Sequence, residues 1–231
     1  MKINDVAAIY PSFVMRGHLD EFSAKDNRVL ADLAWENSRE NVRSTSNVRD
    51  SAELYSRNPF QNLIEKNRNN EIVRRFAGAM DSAAREYLSQ VYKFSCTWPI
   101  ELFSDAFCQN KDTGTHGMWV HTHIRKPIIV AYYPVVNLQV RGNSTTSMGV
   151  DGQANFYDPN NYGRRPFPNH NPAFHCSSVY RAVVRSGDFL VFEGYVPHDS
   201  APFEGTERVC IATACDIKTP ISVSGIQLES L

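Results

Sequence analysis

Three histidines and one arginine carry the chemical signal in this chain. The stretch WVHTHI at 119–124 places His121 and His123 two residues apart. In a strand, residues at that spacing project to one face, so Trp119, His121 and His123 would share a side opposite Val120, Thr122 and Ile124. Far downstream, GDFLVFEGYVPHDSAPFEGTERVCIA at 187–212 closes one apolar run on His198 and opens the next on Arg208, ten residues later. Imidazole suits iron, zinc, copper and nickel, so three rings could converge on one divalent ion. Surface strands also tolerate histidine, and a His-x-His pair alone is compatible with solvated or hydrogen-bonded rings. Arg208 adds a second demand, because a guanidinium is a planar fork that engages a carboxylate bidentately and stays charged when partly desolvated.

The elements that must position these groups fall into two textures. Residues 20–42 have apolar positions (Phe22, Val29, Leu30, Leu33, Ala34) at three- and four-residue intervals, with Asp20 as a candidate cap. The spacing predicts a second helix over 70–91, with Ile72, Val73, Phe76, Met80, Tyr87 and Leu88 on one face. After Trp98-Pro99 come short β-rich runs, MWVHTHI, PIIVAYYPVVNLQV, VYRAVV, FLVFEGYV and RVCIATACDI, separated by Gly, Asn and Pro clusters. Helices first and strands after predict an α+β fold: an antiparallel jelly roll with the N-terminal helices packed on one face. The expected organisation is a single domain over 1–231, with helical support in 1–95 and a jelly-roll core in 96–220. A long loop, 141–178, interrupts that core. Loops of such length are functional or disordered, and this one carries Phe156, Tyr157, Tyr162, Phe167 and Phe174.

Bulk numbers exclude several classes. With 231 residues and 42% hydrophobic content the chain can bury a substantial core. A formal charge of −1 gives no global attraction to nucleic acid or an anionic membrane, so neither is expected as a partner. No run approaches the roughly 20 apolar residues of a membrane helix. Five cysteines without a C-x-x-C pair, and an N-terminus whose apolar runs are all interrupted, predict a reduced, cytoplasmic setting.

With these residues in place the chain resembles the iron(II)- and 2-oxoglutarate-dependent oxygenases, in particular their bacterial and phage-type members. The resemblance rests on H121-T-H123 leading into PIIVAYYPV, on ANFYDP, and on G-D-x-x-x-F-x5-H-x9-R across 187–208; it covers about residues 96–217. It implies a double-stranded β-helix, a cupin-like jelly roll, whose two histidines and one acid hold iron(II) on one triangular face. Carried over, His121 is the first ligand, His198 the distal one, and Arg208 receives the far carboxylate of 2-oxoglutarate. Tyr132, Asn155 and Cys210 are further candidate contacts to that co-substrate, and Tyr133, Tyr157 and Trp119 candidate cavity liners. The implied reaction is hydroxylation of a small-molecule or peptide substrate by dioxygen.

Two positions depart from the family pattern. Where the pattern has Asp or Glu, this chain has His123, so either three imidazoles bind the metal or a carboxylate from the long loop, Asp158 or Asp151, takes the third place. Cys210 stands where relatives carry Ser or Thr, and a thiol is the weaker donor. Two other readings follow from the same residues. One is a three-histidine cupin-type iron dioxygenase without 2-oxoglutarate. The other is a metal-free jelly-roll binding module whose aromatic loop stacks on sugars or a peptide, in which the histidines would not cluster.

Overall fold

The computed structural model describes residues 1–9, 12–45, 62–110, 120–123, 126–137, 153–158, 179–201, 203 and 205–218. Two strands come first, β1 (Lys2–Ile9) and β2 (Ser12–His18), followed by helices α1 (Ala24–Thr45), α2 (Leu63–Lys66) and α3 (Glu71–Tyr92). Strands β3 (Ile100–Asn110), β4 (Ile128–Asn137), β5 (Ala154–Tyr157), β6 (Val179–Ala182), β7 (Asp188–Glu193), β8 (His198–Ser200) and β9 (Glu207–Ile217) complete the order. The strands form two antiparallel sheets, a six-stranded one ordered β1-β2-β7-β4-β9-β3 and a three-stranded one ordered β6-β5-β8. Mixed helices and antiparallel sheets were expected. The N-terminal region, expected as helical support, also supplies β1 and β2, which extend the large sheet beyond β7. Among the described residues no helix is long and apolar enough to cross a membrane.

Helix ends are set by local polar groups. Ser23 and Asp26 cap α1 reciprocally: the Asp26 N–H donates to Ser23 Oγ at 3.2 Å and the Ser23 N–H to Asp26 Oδ2 at 3.1 Å. The cap is therefore Ser23 and not Asp20. At α3, Asn70 Oδ1 accepts from the backbone of Ile72 and Val73, and Lys93 ends the helix in the left-handed region at φ 55°.

Alternation along the central strands divides the large sheet into two faces. Met15, Val130, Tyr132, Phe189, Val191, Val209 and Ile211 face the helices, where they pack with Leu30, Phe76, Met80 and Tyr87. Val14, Ile129, Ala131, Tyr133, Leu190, Phe192 and Cys210 face the small sheet and meet Ala154, Phe156, Ala182 and Val196. Pro134, which has no N–H to give to a ladder, coincides with a register shift between β4 and β9, after which Val136 opposes Arg208.

Candidate metal centre and anion seat

The three histidines meet. His121 and His198 form an isolated antiparallel bridge, each backbone N–H donating to the other's carbonyl, at 2.9 Å from His121 and 3.0 Å from His198. His123 is fixed from a different direction, its N–H donating to the Gly194 carbonyl at 2.7 Å. Gly194 suits that crossing because a Cβ there would strike the Lys126 carbonyl and lie 2.8 Å from the His123 carbonyl oxygen. Ring centroids are 4.3 Å apart for His121 and His198, and 5.1 Å for each pair that includes His123. One ring nitrogen from each histidine lies within 4.8 Å of the others, the spacing of ligands to a single ion. The expected regular strand over 119–124 is reduced, in the described part, to that one bridge residue; Trp119 lies outside the described residues.

Burial sets the protonation of the cluster. Removal from water, then the charges of His121 and His123, brings the pKa of His198 down to about 3. Burial and His121 bring that of His123 down to about 4. Both rings are therefore neutral at neutral pH, the form that binds metal. His198 Nδ1 lies 2.9 Å from the Val196 carbonyl oxygen, which can only accept. Nδ1 is thus the protonated nitrogen and Nε2 carries the free lone pair. Phe192 meets the His198 ring edge-on at 4.7 Å and Phe156 stacks at 5.9 Å, so apolar surface backs the ligand.

Arg208 forms the second half of the site. It lies on the inter-sheet face of β9, is 1% exposed, and ranks first among the large fully buried side chains. Nη1 donates to Gln109 Oε1 at 2.8 Å, and Cζ lies 5.3 Å from the Tyr133 ring centroid. Nε is buried without a hydrogen-bond partner, and no carboxylate among the described residues pairs with the guanidinium. Cys210 shares this face; burial pushes its thiol pKa up, and Arg208 and Tyr133 oppose that shift. Burial likewise raises the Tyr133 phenol, which is in electrostatic contact with both Cys210 and Arg208. A buried guanidinium with no carboxylate partner among the described residues has the charge and the planar donors to receive an anion.

Other expected residues lie elsewhere. Tyr132 faces the helices and donates to Asn27 Oδ1 at 2.6 Å, so its neighbour Tyr133 occupies the inter-sheet side. Asn155 opposes Asp199 in the β5–β8 register, on the outer face of the small sheet, because Ala154 and Phe156 take the inner one. It donates to Asp199 Oδ1 at 2.7 Å and not into the inter-sheet space. Asp158 is buried but does not join the three-histidine group, which among the described residues contains no carboxylate. Asp151 lies outside the described residues. Gln109 and Asp199 were not expected to contribute. Only the alternation next to His198 hinted at the second, and nothing in the sequence at the first.

No family model and no curated protein matches the chain. Solved structures do resemble it. A Pseudomonas putida prolyl-4-hydroxylase aligns with TM-score 0.46 and 13% identity over 88% of each chain. HygX from Streptomyces hygroscopicus with nickel and 2-oxoglutarate bound aligns with TM-score 0.47 and 10% identity, over 89% of this chain and 83% of that one. The non-heme alpha ketoglutarate dependent epimerase SnoN from nogalamycin biosynthesis aligns with TM-score 0.43 and 14% identity over 72% and 67%.

Proposed function

We propose that the chain is a non-haem iron(II)- and 2-oxoglutarate-dependent oxygenase on a double-stranded β-helix, with His121, His123 and His198 as the metal ligands. The observation that carries the reading is the pairing of a three-imidazole cluster, in which His123 and His198 are neutral, with a buried arginine that has no acidic partner among the described residues. Each half fits its group. The imidazoles present lone pairs at one ion's spacing, and Arg208 supplies the charge that a dicarboxylate's distal end requires. Tyr133, under the guanidinium, is the phenol donor beside Arg208 in the role first expected of Tyr132, and Cys210 is the weaker third group.

Bound together, iron(II), 2-oxoglutarate and dioxygen supply oxidation of a C–H bond in a small molecule or peptide, with decarboxylation of the co-substrate. The chain's own residues hold and orient. His198 keeps its Nδ1 proton on Val196 and offers Nε2, Phe156 and Phe192 keep water from its flank, and Arg208 fixes the far end of the co-substrate. With histidine in place of a carboxylate ligand the metal site is one unit more positive, which favours a dianionic partner.

The all-imidazole cluster favours one further reading, a three-histidine dioxygenase of the cupin sort that needs no keto acid. Arg208 speaks against it, since that chemistry leaves the buried cation uncompensated. Anaerobic titration of 2-oxoglutarate into the iron(II)-loaded protein separates the two. A metal-to-ligand charge-transfer band in the visible is expected; iron uptake without the band would select the second reading, and no iron uptake would overturn both.

A further inference from the structure

His198, the distal ligand of the proposed centre, sits on the shortest strand among the described residues. β8 has three residues, and its register with β5 pairs His198 with Phe156, Asp199 with Asn155 and Ser200 with Ala154. Directly opposed residues project to the same side. His198 and Phe156 therefore point inward, and Asp199 and Asn155 outward. On the outer side both carboxylate oxygens of Asp199 are engaged: Asn155 Nδ2 donates to Oδ1 at 2.7 Å and Tyr157 Oη to Oδ2 at 2.5 Å. Gln153 Nε2 donates to Asn155 Oδ1 at 2.8 Å, which fixes the amide orientation and leaves Nδ2 for Asp199. The flanks of the strand are tied as well, through the Tyr157 N–H to the Pro197 carbonyl and the Ala201 N–H to the Gln153 carbonyl, each at 2.9 Å.

We propose that Asp199 is a positioning residue for the metal ligand His198, acting from the opposite face of β8 through this Gln153–Asn155–Asp199–Tyr157 chain of hydrogen bonds. The inference rests on the reading that the three imidazoles hold a divalent metal. Its mode of action is geometric. The groups that perturb His198 are its own burial, the two other histidines and the Val196 carbonyl, with no contribution from Asp199. Three residues of strand supply few backbone bonds with which to resist rotation. Rotation of β8 about its axis would swing His198 away from His121 and His123, and functional ligands must be held to within about 0.5 Å. Two charge-assisted side-chain bonds opposite the ligand oppose that rotation.

Cobalt(II) titration followed by visible d–d absorption, with thermal unfolding in parallel, tests the assignment in the full chain. Wild type is expected to take up one cobalt, and His198→Ala to lose it. Asp199→Asn sets an amide donor against Asn155 or Tyr157, so cobalt affinity should fall about tenfold or more, the range for residues that orient metal ligands. The band shape should change with it. Asn155→Asp combined with Asp199→Asn reverses the rung and restores every bond, with Tyr157 donating to the new amide oxygen; affinity and spectrum should return. Tyr157→Phe removes a single bond and serves if Asp199→Asn fails to fold; a smaller loss in the same direction is expected. Unchanged cobalt affinity in Asp199→Asn or Tyr157→Phe overturns the positioning role, as does a double variant that folds without recovering. Failure of wild type to bind cobalt removes the metal reading itself, and the positioning role with it.

Discussion

The two faces of the six-stranded sheet come from alternate residues of the same strands, yet two adjacent charges on β9 meet opposite surroundings on them. On the helix side polar groups find partners within the chain. Tyr132 donates to Asn27, and Ser104 and Thr213 share a bond at 2.7 Å. Glu207 receives Arg28 at 2.6 and 2.9 Å and the Trp35 indole at 2.8 Å. Glu193 is a partial exception, accepting from Tyr92 Oη while its Oε2 is buried without a hydrogen bond. One residue beyond Glu207, on the other face, Arg208 is buried with Nε unpaired and no acidic partner among the described residues. Glu207 is neutralised by the folded chain itself, whereas the charge of Arg208 is the one that the proposed co-substrate would balance.

The largest expected effect separates the faces by what is lost. Phe76 is fully buried against Tyr132, with ring centroids 5.6 Å apart, and Phe76→Ala should cost about 3–5 kcal/mol in urea unfolding. His198→Ala should abolish metal uptake with a much smaller change in the stability of the metal-free protein. Equal destabilisation by the two would break the comparison. Next comes the adjacent pair on β9. Glu207→Gln removes the charge from bonds to Arg28 and Trp35 and should destabilise by about 1–3 kcal/mol. Arg208→Met should leave the metal-free protein equally stable or raise it by about 1–4 kcal/mol, because an uncompensated buried cation is replaced by apolar volume. The same substitution should weaken 2-oxoglutarate binding about 30-fold or more, measured calorimetrically on metal-loaded protein. A stability loss in Arg208→Met as large as in Glu207→Gln would show that Arg208 serves the fold.

Acid should find the inter-sheet face first. Folding lowers the pKa of His123 from 6.5 to about 4 and that of His198 to about 3. The unfolded chain therefore binds more protons below pH 6.5, and stability present above that value declines as pH falls toward the folded values. Glu207 is also lowered, by its bonds to Arg28 foremost, so its contribution declines only once pH falls below 4.5. Metal-free protein should lose stability in two stages on acidification, and saturating cobalt should suppress the first. A single stage confined below pH 4.5 would contradict the burial of the imidazoles.

Much of this was legible in the sequence because it is local. The periodicity over 70–91 gave α3 to within a residue, and the apolar runs of β4, β7 and β9 announced themselves. The His-x-His pair and the ten-residue step from His198 to Arg208 pointed to groups the fold does bring to its inter-sheet side. What was illegible is set by distant packing. β1 and β2 are mixed in polarity, and they become strands by pairing, β2 onto β7 and β1 onto β2. In IIVAYYPVV both faces are buried, so no in-and-out polarity marks which tyrosine turns toward the site. Alternation says only that Tyr132 and Tyr133 part company; the helices, contributed from far earlier in the chain, decide which goes where. Asn155 takes the outer face for the same reason, one residue out of phase with Phe156.

That pair of tyrosines gives the finest test. Both are almost fully buried, both lose one hydroxyl on substitution by phenylalanine, and they differ only in the face they take. Tyr132→Phe deprives Asn27 of a donor at 2.6 Å and should lower stability by about 1 kcal/mol, with metal and 2-oxoglutarate binding unchanged. Tyr133→Phe keeps the ring beneath the guanidinium, and with it the cation–π contact, but removes the phenol beside Arg208 and Cys210. Co-substrate affinity should then fall by about 1 kcal/mol, roughly fivefold, while metal uptake is retained. If Tyr132→Phe weakened 2-oxoglutarate and Tyr133→Phe did not, the faces would have been assigned the wrong way round, and Arg208 could not be the anion's seat.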